Sequence, residues 1–132
     1  MPRSRTLEIA ILNWNTWSLV DRGLSRLAPL GARPDVRITI VDNASAEPGT
    51  SVKTKYPWVN IVHLAANGGY AAGNNSILAR TSAEFVLLQN SDAFPTPMTV
   101  DLLLDCMNER PTAAAVGPAL VDEEEQIGRA HV

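Results

Sequence analysis

The feature that most constrains this chain is a rhythm. Short apolar, often β-branched runs alternate with segments whose apolar residues recur every three or four positions. Residues 7–12 form a run of strand length, after which Asn15 or Thr16 offers a cap to a stretch with Trp17, Val20, Leu24 and Leu27 on one helical stripe. Pro29, Gly31 and Pro34 are expected to end that helix, and residues 36–41 read as a second strand. A short helix is expected over 49–56, stopped by Pro57, followed by a third strand over 59–64. Residues 70–80 are helical in composition, and 85–88 form the unbroken apolar run expected of a central strand covered on both faces. Thr96 caps and Pro97 opens a helix carrying Val100, Leu103, Leu104 and Met107 at helical spacing, and residues 113–121 are expected to supply a last strand.

Strictly alternating strands and helices imply an α/β fold, a mostly parallel sheet with helices on both faces. With 132 residues the chain is read as a single domain spanning 1–132, long enough for a real core, and it shows no repeat or linker. The formal charge of −3, with Lys and Arg scattered, supplies no basic field for nucleic acid. No apolar run approaches the ~20 residues of a membrane span, and the two N-terminal arginines are not followed by the uninterrupted apolar core of a signal peptide. The single cysteine, Cys106, has no internal partner for a disulfide, which fits a reducing cytoplasm; its apolar neighbours place it on a buried helix face.

Polar residues collect where the strands end. Asn13-Trp14-Asn15 follows the first strand, Asp42-Asn43 the second, Asn67-Gly68-Gly69 the third and Asn90-Ser91-Asp92 the fourth. In a parallel sheet these four clusters share one rim, where such folds bind ligands. Asn, Asp and Gly are equally the residues that turns require, so each cluster alone also reads as turn chemistry. Asp92, just past an apolar strand, suits a hard divalent cation that takes one or two carboxylates plus phosphate oxygens and water. An Asx-turn or an early cap for the helix at Pro97 is its structural alternative. The glycines and alanines of residues 67–75 open a helix whose first N–H groups suit an anion, without matching a dinucleotide fingerprint or a P-loop. Asp42 could accept the imide N–H of uracil or thymine, or act as a cap. Trp14 and Tyr70 lie where they could shield a base, although Trp and Tyr usually pack. His63 and His131 have no zinc-spaced neighbours and are assigned no role, and residues 122–125 read as a solvated acidic loop.

In order, residues 11–15 (Ile-Leu-Asn-Trp-Asn), 40–45 (Ile-Val-Asp-Asn-Ala-Ser), 67–75 (Asn-Gly-Gly-Tyr-Ala-Ala-Gly-Asn-Asn), 86–92 (Val-Leu-Leu-Gln-Asn-Ser-Asp) and 115–118 (Ala-Val-Gly-Pro) resemble the family-2 glycosyltransferases of the GT-A fold. The likeness is to rhamnosyltransferase-like and galactofuranosyltransferase-like members, and it spans nearly the whole chain. It implies a Rossmann-like GT-A nucleotide-binding half, with Asp42 at the base and Asp92 binding Mg²⁺ or Mn²⁺ on the diphosphate of a UDP- or dTDP-sugar. Asn13, Asn15, Asn67, Gly69, Gly73, Asn74 and Asn90 complete the expected nucleotide-sugar site. The pattern departs from the fuller Asp-x-Asp motif: Asn90 replaces its first aspartate, Ser91 stands where many relatives carry proline, and Ala93 where threonine is common. The implied chemistry is inverting transfer to a sugar or glycan acceptor that the motifs do not identify. The catalytic base belongs to an acceptor-binding half that the resemblance places beyond residues 1–132, so no base is assigned. Two other readings compete: a nucleotide-binding module without transfer activity, and an assembly module whose uncovered sheet edge favours a homo-oligomer.

Overall fold

The computed structural model describes residues 7–121, and these fall in two compact units, 1–97 and 98–132. The acidic run 122–125 and His131 lie outside the described residues. The first unit runs β1 (Leu7–Asn13), α1 (Trp17–Gly31), β2 (Val36–Asp42), α2 (Thr50–Lys55), β3 (Asn60–His63), α3 (Tyr70–Leu78) and β4 (Phe85–Asn90). The four strands form one parallel sheet in the order β3-β2-β1-β4. β1 is therefore central, with Leu7 opposite Val36 on one side and Phe85 on the other.

Alternation along the strands divides the core between two faces. Ile9 and Ile11 of β1 share a face with their register partners Ile38 and Ile40 of β2, all buried. The stripe of α1, with Val20, Leu24, Leu27 and Leu30 buried, covers β1 and β2. On the other face Ala10 and Val41 pack with Ile77 of α3, joined by Leu12, Leu64 and Val86. Burying the apolar side chains on both faces contributes roughly 1.5–3 kcal/mol for each large one and fixes the register. Glu8, buried at the opposite end of β1 from the polar rim, accepts a hydrogen bond from Thr39 Oγ1 at 2.8 Å and lies 3.7 Å from Arg37 Nε.

Three expectations about the first unit's helices and the strands are corrected. Pro29 lies inside α1, which continues to Gly31; Pro29 faces solvent in the last turn, so the helix tolerates it there. β4 is an edge strand, pairing with β1 alone among the described residues, and Leu88 is 40% exposed. Its apolar run recorded a β-branched and aliphatic sequence, not a position in the sheet. Residues 113–121 form no extended strand: apart from a bridge at Val121 the stretch is irregular and mostly exposed, and Pro118 lacks the N–H that a ladder needs.

The helix α4 (Pro97–Glu109) starts at Pro97 as expected, belongs to the second unit from Met98 onward and buries Val100. Cys106 is only half-buried, with Arg110 Nη1 donating to its Sγ at 2.9 Å, so it is not the core residue its neighbours suggested. No helix among the described residues is long and apolar enough to cross a membrane.

Candidate functional site

The chain leaves β1 for β2 and β3 on one side, then returns to place β4 on the other. The switch point lies between β1 and β4, and in open parallel sheets the crevice beyond the strand carboxyl ends at such a point is the binding site. A cleft of about 450 Å³ opens there. Leu12, Trp14, Thr16 and Leu19 line it from β1 and α1, Asn43 from beyond β2, Asn67, Gly69 and Tyr70 from the entry to α3, and Asn90, Ser91 and Asp92 from β4.

The rim is built from the strand ends upward. Asn13 is fully buried, its Nδ2 donating to Asp42 Oδ1 at 3.1 Å and to Ser45 Oγ at 3.3 Å, while its Oδ1 accepts from Thr16 N at 3.1 Å and Thr16 Oγ1 at 2.7 Å. Asp42 is also buried. Beyond Asn13 it accepts from the hydroxyl and backbone N–H of Ser45 and pairs with His63 Nδ1 at 3.3 Å. A charge this deep requires such partners. Asn15, at φ 56°, ties its loop to the next: Ser45 Oγ accepts from Asn15 N at 2.8 Å and Asn15 Oδ1 accepts from Ala46 N at 2.8 Å. Asn67 Oδ1 accepts from Asn43 Nδ2 at 2.8 Å and from Gly69 N at 2.9 Å. Gly69, at φ 96° and ψ 178°, adopts a backbone region that only glycine enters readily, and so opens α3.

Gly73 serves a different need. A Cβ there would collide with Leu12 Cδ1, so the bare backbone lets α3 lie close on the end of β1. Asn74 is buried beside it, and neither polar atom of its side chain has a partner among the described residues; Asn43 Oδ1 and Gln89 Oε1 are likewise buried without one.

Asp92 contrasts with all of these. It is exposed, lines the cleft, and makes no hydrogen bond or ion pair among the described residues, so neither the Asx-turn nor the capping contact forms. The side chain of Asn90 is likewise exposed and unpartnered. No three His, Cys, Asp or Glu side chains converge among the described residues, which leaves Asp92 as the cleft's lone carboxylate.

Of the residues singled out from sequence, Asn67, Gly69, Asn90 and Asp92 line the cleft. Asn13, Asn15, Asp42, Gly73 and Asn74 do not line it. Sequence reasoning did not select Thr16, Ser91, Asn43, Leu12 or Leu19. Asn43 and Ser91 stood in clusters that were noted, and Thr16 was read only as a helix cap. Trp14 and Tyr70, both more than half exposed, line the cleft instead of packing.

Comparison with family models matches residues 8–131 to "Glycosyl transferase family 2". A curated relative, the N-acetylglucosaminyl-diphospho-decaprenol L-rhamnosyltransferase of Mycobacterium tuberculosis, is 26% identical over 92% of this chain and 43% of its own length. Among solved structures, the mannosyltransferase PcManGT from Pyrobaculum calidifontis in complex with GDP-Man and Mn²⁺ superposes with a TM-score of 0.70 at 16% identity, covering 94% of this chain and 38% of that one. S. aureus TarS 1-349 in complex with UDP-GlcNAc gives 0.69 at 18% identity, over 89% and 38%. This chain thus spans less than half the length of each, and the structural likeness establishes the GT-A type of fold.

Proposed function

This chain belongs to glycosyl transferase family 2, and from that premise we propose that its cleft binds the nucleoside diphosphate of a sugar donor through a divalent cation on Asp92. The observation that carries the reading is the exposed Asp92 carboxylate at the β1/β4 switch point, unpartnered among the described residues, whereas the rim's other strand-end carboxylate, Asp42, is buried and engaged. The donor set fits Mg²⁺ or Mn²⁺: one carboxylate, the neighbouring Asn90 carboxamide oxygen, and open space for phosphate oxygens and water. A bound cation would supply Lewis-acid stabilisation to the departing diphosphate. The first turn of α3, with backbone N–H groups that have no intrahelical acceptor, gives the phosphates a second support, and Gly69 and Tyr70 of that turn line the cleft.

We assign the donor as a UDP- or dTDP-sugar, with the base toward the Asp42 side, where buried Asn13 and Ser45 hold the carboxylate, and with Asn13, Asn15, Asn67, Gly73, Asn74 and Asn90 forming or bracing the donor pocket. Two solved relatives contain UDP-GlcNAc and GDP-Man, so the base is a point the test must decide. The whole protein is read as an inverting glycosyltransferase acting in the cytoplasm. Its acceptor and catalytic base lie outside this assignment.

Titration of the chain with UDP, dTDP and GDP, with and without Mn²⁺, followed by tryptophan fluorescence, tests the reading, since Trp14 lines the cleft. Binding of UDP or dTDP that strengthens with Mn²⁺ and disappears in Asp92→Ala is expected. Absence of nucleotide binding, or a preference for GDP, would refute the donor assignment.

A further inference from the structure

Thr16 occupies the N-cap position of α1, yet its side chain makes no capping hydrogen bond to the helix. A threonine at this position normally accepts from an N–H of the first turn, a contact that stabilises the helix. Here the hydroxyl is turned the other way, 2.7 Å from Asn13 Oδ1 and 2.8 Å from Ser91 Oγ. The Asn13 oxygen can only accept, so Thr16 donates its single proton there and accepts from Ser91. The helix forgoes its cap, and the β1 end gains a bond to a segment 75 residues away.

That segment is the turn carrying Asp92. Ala93 N donates to Asn90 O at 3.1 Å, closing a four-residue turn with Ser91 and Asp92 at its centre, and buried Gln89 donates from Nε2 to Ala93 O at 3.1 Å. The turn is therefore fixed at its base by Gln89 and at its crown by the Thr16–Ser91 bond, while Asp92 itself makes no hydrogen bond or ion pair among the described residues.

We infer that Thr16 is a positioning residue for Asp92, holding the turn through Ser91 so that the carboxylate meets a diphosphate-bound cation without first being ordered. The inference rests on the donor reading above. A ligating group held by its surroundings avoids the ordering cost that a free turn would incur on binding. Thr16 sits on fully buried Asn13, so the hold is anchored at the end of a central strand, β1.

The test compares Mn²⁺ affinity, in the presence of UDP, across variants of the full chain, with UDP binding in EDTA as the second readout. Thr16→Val is expected to weaken Mn²⁺ binding about 3- to 10-fold, the net contribution of the Ser91 bond, and, since Thr16 also lines the cleft, to weaken metal-free UDP binding by a clearly smaller factor. Thr16→Ser, which keeps the hydroxyl, is expected to retain wild-type affinity. Ser91→Pro supplies the separating arm: proline is favoured at the second position of a common turn and would fix the backbone covalently, so in the Thr16→Val background it is expected to restore most of the lost affinity. Wild-type Mn²⁺ affinity in Thr16→Val, or an equal loss in the EDTA arm, would overturn the inference. If Asp92→Ala also binds Mn²⁺ and UDP as wild type does, the donor reading itself fails and the inference falls with it. Loss in Asp92→Ala without loss in Thr16→Val refutes the positioning role alone.

Discussion

Asn13 is the residue on which the rim turns. Its carboxamide gives two donors to the Asp42–Ser45 pair and two acceptor positions to Thr16, so one buried side chain joins the ends of β1 and β2 to the start of α1. Asn13→Ala would leave a buried carboxylate short of a donor and an N–H without an acceptor. The expected loss is about 2–3 kcal/mol in urea denaturation, and a loss under ~0.5 kcal/mol would mean that the network is dispensable. Gly73 makes a second residue-scale case. Gly73→Ala drives a methyl into Leu12, and overpacking of this kind costs about 1–3 kcal/mol. Because the clash is with one side chain, the cost is expected to shrink in a Leu12→Ala background, and a double-mutant cycle with no coupling would contradict that account.

Between elements, α1 and α2 are clamped by Asp21, whose Oδ1 accepts from Lys55 Nζ at 2.8 Å and from the Tyr56 hydroxyl. The hydrogen bond from Lys55, then that from Tyr56, hold the Asp21 carboxyl below its ordinary value of 3.8 against a smaller opposing effect of burial. A carboxyl with a lower pKa in the native than in the unfolded chain binds fewer protons when folded. Its stabilisation is therefore present above about pH 4 and is lost as pH falls through the native value. Thermal melts should show Asp21→Asn less stable than wild type at pH 7, with the gap closing below about pH 4; a gap independent of pH would contradict the clamp. These elements were also where the sequence was most legible. Apolar runs marked β1 and β2, and the stripe of Trp17, Val20, Leu24 and Leu27 marked α1, because period and burial coincide there. The run at 85–88 misled on sheet position, since pairing order is decided by which strands meet, and residues 113–121 lacked a strand to pair with among the described residues. In the site, Asp, Asn and Gly at strand ends pointed to the rim on which the cleft opens. Local sequence carries no sign of whether an asparagine turns inward, as Asn13 does, or outward, as Asn90 does. The Thr16–Ser91 contact joins residues 75 apart and left no local signal.

For the whole molecule, the strand order β3-β2-β1-β4 gathers four chain segments at one crevice and, among the described residues, leaves a single free carboxylate in it. A parallel sheet supplies the rigidity and the strand ends supply the chemistry, which is how the family's fold and the site's polarity are connected here. The central claim is that Asp92 holds the cation of a metal–nucleotide complex. The most direct measurement is anomalous scattering from crystals of the chain grown with Mn²⁺ and UDP. A manganese peak about 2.1 Å from an Asp92 carboxylate oxygen, the reach of a small hard cation to oxygen, is predicted, together with its disappearance in Asp92→Ala. A peak lying elsewhere on the chain, or one that persists unchanged in the variant, would contradict the account.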